Sequence, residues 1–200
     1  MREILPGACH WTAFHEGIGM DVSSYFVEAS DTLIDPMLPA EGLEWFRERP
    51  PERIVLTCRH HYRHSDSFVE EFGIDVHCNE SGLHEFAGGP EVQAFKPGET
   101  LAPGIVAIEV DELSPDETAL HLEVGAGAVA FADGLVHWGD GRVGFVPDQY
   151  MDDPETVKRG LRAAFKRIAA DYEFDSLLFT HGEPIAGGGR EALARFLENG

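Results

Sequence analysis

Arg53-Ile54-Val55-Leu56-Thr57-Cys58 runs straight into Arg59-His60-His61-Tyr62-Arg63-His64-Ser65-Asp66. The first six residues have a continuous apolar centre, the mark of a strand buried on both faces of a parallel sheet. The residues that follow place three histidines within five positions, just where the strand runs out. Imidazole is the commonest metal ligand, and folds place their chemistry in loops at strand ends. A short helix around Ser67–Phe72, then Gly73 and a strand at Ile74–Cys78, complete a strand–histidine–helix–strand unit.

The same reading extends in both directions. Upstream, Val22–Glu28 alternates as a strand, Asp31-Thr32 turns, and Leu33-Ile34 returns until Asp35-Pro36 stops it. Pro39 then opens a helix through Leu43, Trp45, Phe46 and Arg47, which Pro50-Pro51 ends. Downstream, Ile105–Val110, Ala119–Val124, Ala128–Ala132 and Arg142–Val146 read as strands. Asp153-Pro154-Glu155 starts the clearest helix: Asp caps, Pro takes the first turn, and Glu faces the positive end of the dipole. Val157, Leu161, Phe165, Ile168 and Tyr172 line its apolar stripe. Ser176–Thr180 is a short buried strand, and Arg190–Leu197 a final amphipathic helix. Both halves therefore carry a run of strands plus helices, which two sheets packed face to face with helices outside would satisfy.

Composition bounds the function. With 200 residues and 43% hydrophobic content, one domain spanning 1–200 is expected. Fifteen Lys and Arg against 36 Asp and Glu leave a net charge of −21, which repels phosphate backbones and anionic lipid. Neither nucleic acid nor a membrane is an expected partner; a small molecule is. No apolar run reaches the ~20 residues of a membrane span, and the charged start does not read as a signal peptide. Three cysteines, an odd number, make no disulfide framework. The expected location is cytoplasmic.

Three further segments end strands in polar groups suited to chemistry. Phe131-Ala132-Asp133-Gly134 puts a carboxylate at the end of a buried strand, where it needs a partner. Phe179-Thr180-His181-Gly182-Glu183-Pro184 ends another buried strand in histidine, and Ser114-Pro115-Asp116-Glu117-Thr118 is an acidic turn before a third. Their shared position at strand ends points to one common site.

In this order the segments resemble the metallo-β-lactamase-fold hydrolases, and the hairpin ending in Leu33-Ile34-Asp35-Pro36 is similar too. The resemblance runs from about Asp21 to Phe196. It implies a four-layer αββα sandwich of α/β (α+β) class with one or two metals, zinc or iron, in a cleft at the sheet edges. The family's Thr-His-x-His-x-Asp-His motif fits unevenly, because the stretch here is one residue longer. Held in register at Thr57, the alignment puts Cys58 and His60 at the first two histidines and Tyr62 at the aspartate. Held at the helix, it puts His61 at the second histidine, Arg63 at the aspartate and His64 at the last histidine. Asp133 resembles the bridging aspartate and His181 the last histidine ligand; Glu117 stands where the family has a histidine. Arg63 cannot ligate, so a single zinc or iron ion is expected, from among His60, His61, His64, Asp133 and His181, with Asp133 and His64 as catalytic groups. Cys58 is either an added thiolate or an inert buried thiol. Two functions remain open. One is a metal-assisted hydrolase of a small ester, thioester, lactone or amide. The other is a metal-free, catalytically silent relative that binds a small anionic ligand through Arg59, Arg63 and the histidines.

Overall fold

A computed structural model describes residues 1–199. Seven strands form the first sheet in sequential order: β1 Arg2–Leu5, β2 Ala8–His15, β3 Met20–Val27, β4 Thr32–Ile34, β5 Arg53–Val55, β6 Asp75–Asn79 and β7 Val92–Phe95. The first four pair antiparallel and the last four parallel. The second sheet has the order β14-β11-β10-β9-β8, built from β8 Thr100–Ala102, β9 Ile105–Glu109, β10 Thr118–Leu122, β11 Ala128–Phe131 and β14 Ser176–Phe179. Only its β11–β14 pair is parallel. A separate hairpin joins β12 Val136–His137 to β13 Val143–Gly144.

Three buried clusters explain the layering. Tyr25, Val27, Ile34 and Val55 of the first sheet pack on Ile105, Leu120, Leu122 and Leu178 of the second, making the inner core. The other face of the first sheet, through Phe26, Leu33, Ile54 and Val76, meets Phe46 of α1 (Glu44–Glu48) and Phe68 of α2 (Ser65–Phe72). The other face of the second sheet, through Val129, Phe131, Leu177 and Phe179, meets Leu161, Phe165 and Ile168 of α3 (Pro154–Asp171) and Leu193 of α4 (Gly189–Asn199). β4, β5, β11 and β14 are buried along both faces, as their unbroken apolar runs require. The result is an αββα sandwich. Among the described residues no helix is long and apolar enough to cross a membrane.

Several boundaries differ from the sequence reading. The helix expected from Pro39 begins only at Glu44: Gly42 N–H donates to the Pro39 carbonyl at 2.9 Å, and Gly42 takes a φ of +72°, so the first residues close as a turn. Arg142–Val146 supplies only the two-residue β13, which joins neither large sheet. β1, β2, β7 and β8 were not expected. In β2, Cys9, Trp11 and Ala13 alternate with His10 and Thr12, a period-2 pattern that the sequence reading passed over, and eight registered pairs with β3 hold the strand.

Candidate metal centre

Each pair of parallel neighbours directs its carboxyl ends to one place. β4 ends in Asp35, β5 leads into Thr57, Cys58 and His61, β11 ends before Asp133, and β14 before Thr180 and His181. Cross-links between the sheets fix these ends. Tyr25 donates its hydroxyl to the Phe179 carbonyl at 2.7 Å and accepts from Phe179 N–H at 2.9 Å. Ser23 N–H donates to the Thr180 carbonyl, and Thr118 N–H to that of Thr57, both at 2.9 Å.

Asp35 is the buried anchor. Its carboxylate accepts from Thr57 N–H at 2.8 Å, Thr57 Oγ1 at 2.5 Å, Thr180 Oγ1 at 2.8 Å and His61 Nδ1 at 3.0 Å. The opposite ring nitrogen, His61 Nε2, lies 3.2 Å from Asp133 Oδ1, which also takes His181 Nε2 at 2.8 Å. Cys58 Sγ lies 3.6 Å from Asp133 Oδ2. The donor atoms of Cys58, His61 and Asp133 lie within 4.8 Å of one another. Both Asp35 and Arg63 hold left-handed backbone, with φ of 48° and 46°. Such strain in non-glycine residues persists only where the surroundings over-determine it. For Arg63 they do so through guanidinium hydrogen bonds to the carbonyls of Ser23 and Asp35, at 3.0 and 2.9 Å.

Without a metal, protons hold this charge together. Burial opposes a charge on His61, but Cys58, Asp35 and Asp133 hold its pKa well above the usual value. Burial likewise works against Asp133, yet His61 and His181 keep its carboxyl well below its usual range. Burial pushes the Cys58 thiol up to about 11. Glu117 is raised by burial and by Asp133 to about 8, so at neutral pH it is a carboxylic acid. It accepts from Gly134 N–H at 2.7 Å and Leu113 N–H at 3.2 Å. Gly134 is needed there, because a Cβ would strike the Glu117 carboxyl. Gly182 is needed for a similar reason: its φ is +111°, and a Cβ would strike the His137 carbonyl.

The residues expected at the site separate into two groups. His61, Asp133 and His181 come together. His60 and His64 are exposed, and His64 Nδ1 accepts from Leu38 N–H at 2.9 Å. Arg59–His61 forms a single 3-10 turn that leaves His60 exposed and His61 buried. Arg59 pairs with fully buried Asp116, through both its backbone N–H and its guanidinium. Asp35 carried no assigned role in the sequence; its signal was an acid directly after a buried strand and before proline.

No family model matches the sequence, and neither does any curated protein. Solved structures do match. TTHA1623 in its di-iron-bound form is 22% identical with a TM-score of 0.70, over 92% of this chain and 97% of that one. A metallo-β-lactamase of Cronobacter sakazakii with a HARLDQ motif is 16% identical at 0.66, over 98% and 92%. A B3 metallo-β-lactamase with an active-site glutamic acid is 16% identical at 0.61, over 97% and 87%. The fold is the metallo-β-lactamase fold. Within this metallo-β-lactamase fold, the cluster occupies the carboxyl ends of parallel strands from both sheets. A separate groove of about 830 Å³, lined by Val143, Ile185, Phe196 and Arg195, shares no residue with it.

The donors suit a metal ion. Bonds of about 2.0–2.3 Å to one tetrahedral ion set donors about 3.3–3.5 Å apart. His61 Nε2 lies 3.2 Å from Asp133 Oδ1, close to that spacing, while Cys58 Sγ approaches the other oxygen, Oδ2, at 3.6 Å and His181 Nε2 stands nearer to Oδ1, at 2.8 Å. His181 presents Nε2 to Asp133, and its Nδ1 is buried with no hydrogen-bond partner among the described residues. Asp35 supplies the outer carboxylate that ligating histidines commonly have.

Proposed function

We propose that this chain is a metal-dependent hydrolase of small esters, thioesters, lactones or amides, working with a single ion. The observation that carries this reading is the convergence of Cys58, His61 and Asp133 from both sheets, with donor atoms within 4.8 Å of one another, backed by Asp35 on His61 and joined by His181, whose Nε2 lies 2.8 Å from Asp133. Zinc or iron bound there would supply a water acidified toward neutral pH and a Lewis acid for the substrate carbonyl.

The chain's own groups do the rest. Asp35 accepts a hydrogen bond from His61 Nδ1–H, so that the ring presents Nε2 to the centre. Asp133 gathers both imidazoles on Oδ1 and stays ionised between them. Arg63 contributes a fixed positive charge beside Asp35 and has no lone pair to offer, which favours one ion over two. Solved proteins of this fold named as metallo-β-lactamases, one with a HARLDQ motif and one with an active-site glutamic acid, support the reading of metal-dependent hydrolysis. With Arg59 tied to Asp116, the alternative of a metal-free anion pocket loses one of its two arginines.

Metal analysis of protein purified without chelator, alongside a panel of esters, thioesters and lactones, tests this reading. Roughly one equivalent of zinc or iron is expected, with metal and turnover both lost in Asp133→Ala and His181→Ala. Less than about a tenth of an equivalent, unchanged by His181→Ala, overturns it.

A further inference from the structure

We infer that Cys58 is a thiolate ligand of the metal, so that the site is a sulfur-containing one in which Cys58 joins His61 and Asp133, their donor atoms within 4.8 Å of one another, with His181 held against Asp133. This rests on the single-ion reading above and adds the identity of its fourth donor. Cys9 and Cys78 are also buried thiols in the apolar cluster between the first sheet and its helices, and Cys9 Sγ lies 3.7 Å from the Glu28 carboxylate. Cys58 differs from them. Its Sγ reaches Asp133 Oδ2, on the carboxylate that both inward-facing histidines share.

Position explains why sulfur falls here. Cys58 is the first residue beyond Thr57, whose N–H and hydroxyl are both locked to Asp35, and its backbone is extended (φ −153°, ψ 164°). That rigid segment directs Sγ into the centre, whereas His60 sits on the outward side of the following turn. On binding, the S–H bond breaks, the proton leaves to solvent, and the sulfur lone pair forms the S–metal bond. A thiolate among two imidazoles and a carboxylate favours zinc or iron over manganese or magnesium.

Cobalt(II) substitution tests the assignment without relying on turnover. The expected result is an intense near-ultraviolet thiolate-to-cobalt charge-transfer band together with the visible bands of a low-symmetry site. The charge-transfer band should persist in the double variant Cys9→Ser/Cys78→Ser and vanish in Cys58→Ser. Zinc affinity in Cys58→Ser should fall by more than the ~10–100-fold typical of losing an outer partner. Visible cobalt bands in the unaltered protein with no charge-transfer band overturn the Cys58 assignment and leave the single-ion reading standing. An unaltered protein that binds no cobalt at all overturns that reading itself. Because the deciding spectrum is taken on the unaltered chain, misfolding of Cys58→Ser does not affect the outcome.

Discussion

At the residue scale, buried carboxyl groups carry opposite duties. Asp35 is held ionised: burial opposes the charge, but His61, Arg63 and Thr57 prevail and lower its pKa. Asp35→Asn keeps the shape and loses the charge that His61 Nδ1 donates to. Zinc affinity should then drop about 10–100-fold, as read by competition with a chromophoric chelator. Glu117 is held neutral, with its pKa raised from 4.5 to about 8. The folded state keeps a proton that the unfolded state releases above pH 4.5. Its contribution to stability is therefore complete below that pH and is lost as pH rises towards about 8. His10 acts in the reverse sense, since burial, with help from Arg2, lowers it from 6.5 to about 4. Its contribution is present above pH 6.5 and fades as pH falls towards 4. Comparing variants separates the two. Urea midpoints of metal-free protein between pH 5 and 8 should fall less steeply in Glu117→Gln than in the unaltered chain. Identical slopes would mean that Glu117 is ionised in the fold.

At the element scale, strand β14 decides where His181 stands, and Tyr25 decides where β14 stands. The Tyr25 hydroxyl satisfies both the N–H and the carbonyl of Phe179 in a fully buried place. Tyr25→Phe orphans both groups, a loss of about 1–3 kcal/mol. For a domain of this size that corresponds to roughly 2–4 °C in Tm per kcal/mol. Scanning calorimetry should show this fall, and metal occupancy should fall with it, because the strand end that carries His181 keeps only its bonds with Ser23 and Asp35 to hold it to the first sheet. A Tm within 1 °C of the unaltered protein, as an order of magnitude, would contradict the role given to this cross-link.

At the scale of the whole molecule, the metal and the net charge act on the same balance. A centre that unites two sheets binds the folded chain in preference to the unfolded one. At a free metal concentration about a hundred times Kd the gain is roughly 2.7 kcal/mol. Chelator should therefore lower Tm by about 5–10 °C, and zinc should restore it. No shift in either direction would place the ion outside the fold's energetics. The charge of −21 also makes the compact state repel itself. Raising salt from about 10 mM to 0.15 M shortens the Debye length from ~30 to ~8 Å, and should raise Tm in the metal-free protein.

The sequence by itself determined the central strands and the long helices of both halves, the packing of two sheets with helices outside, and the three strand ends that carry His61, Asp133 and His181. Those properties are local: an apolar run such as Arg53–Leu56, a cap such as Asp153 with Pro154, and a polar group placed just after a strand are each legible in a few residues. Only the tertiary structure decided which side chains meet. Whether His60 or His61 faces inward depends on the rotation of one 3-10 turn, and that rotation is fixed by Asp35 and Asp116, 26 residues upstream of His61 and 57 residues downstream of Arg59. The anchoring role of Asp35, the pairing of Arg59 and the approach of Cys58 to Asp133 across 75 residues have the same origin. Each is a contact between groups far apart along the chain, brought together by the closure of two sheets on a shared core, and no spacing within one segment encodes it.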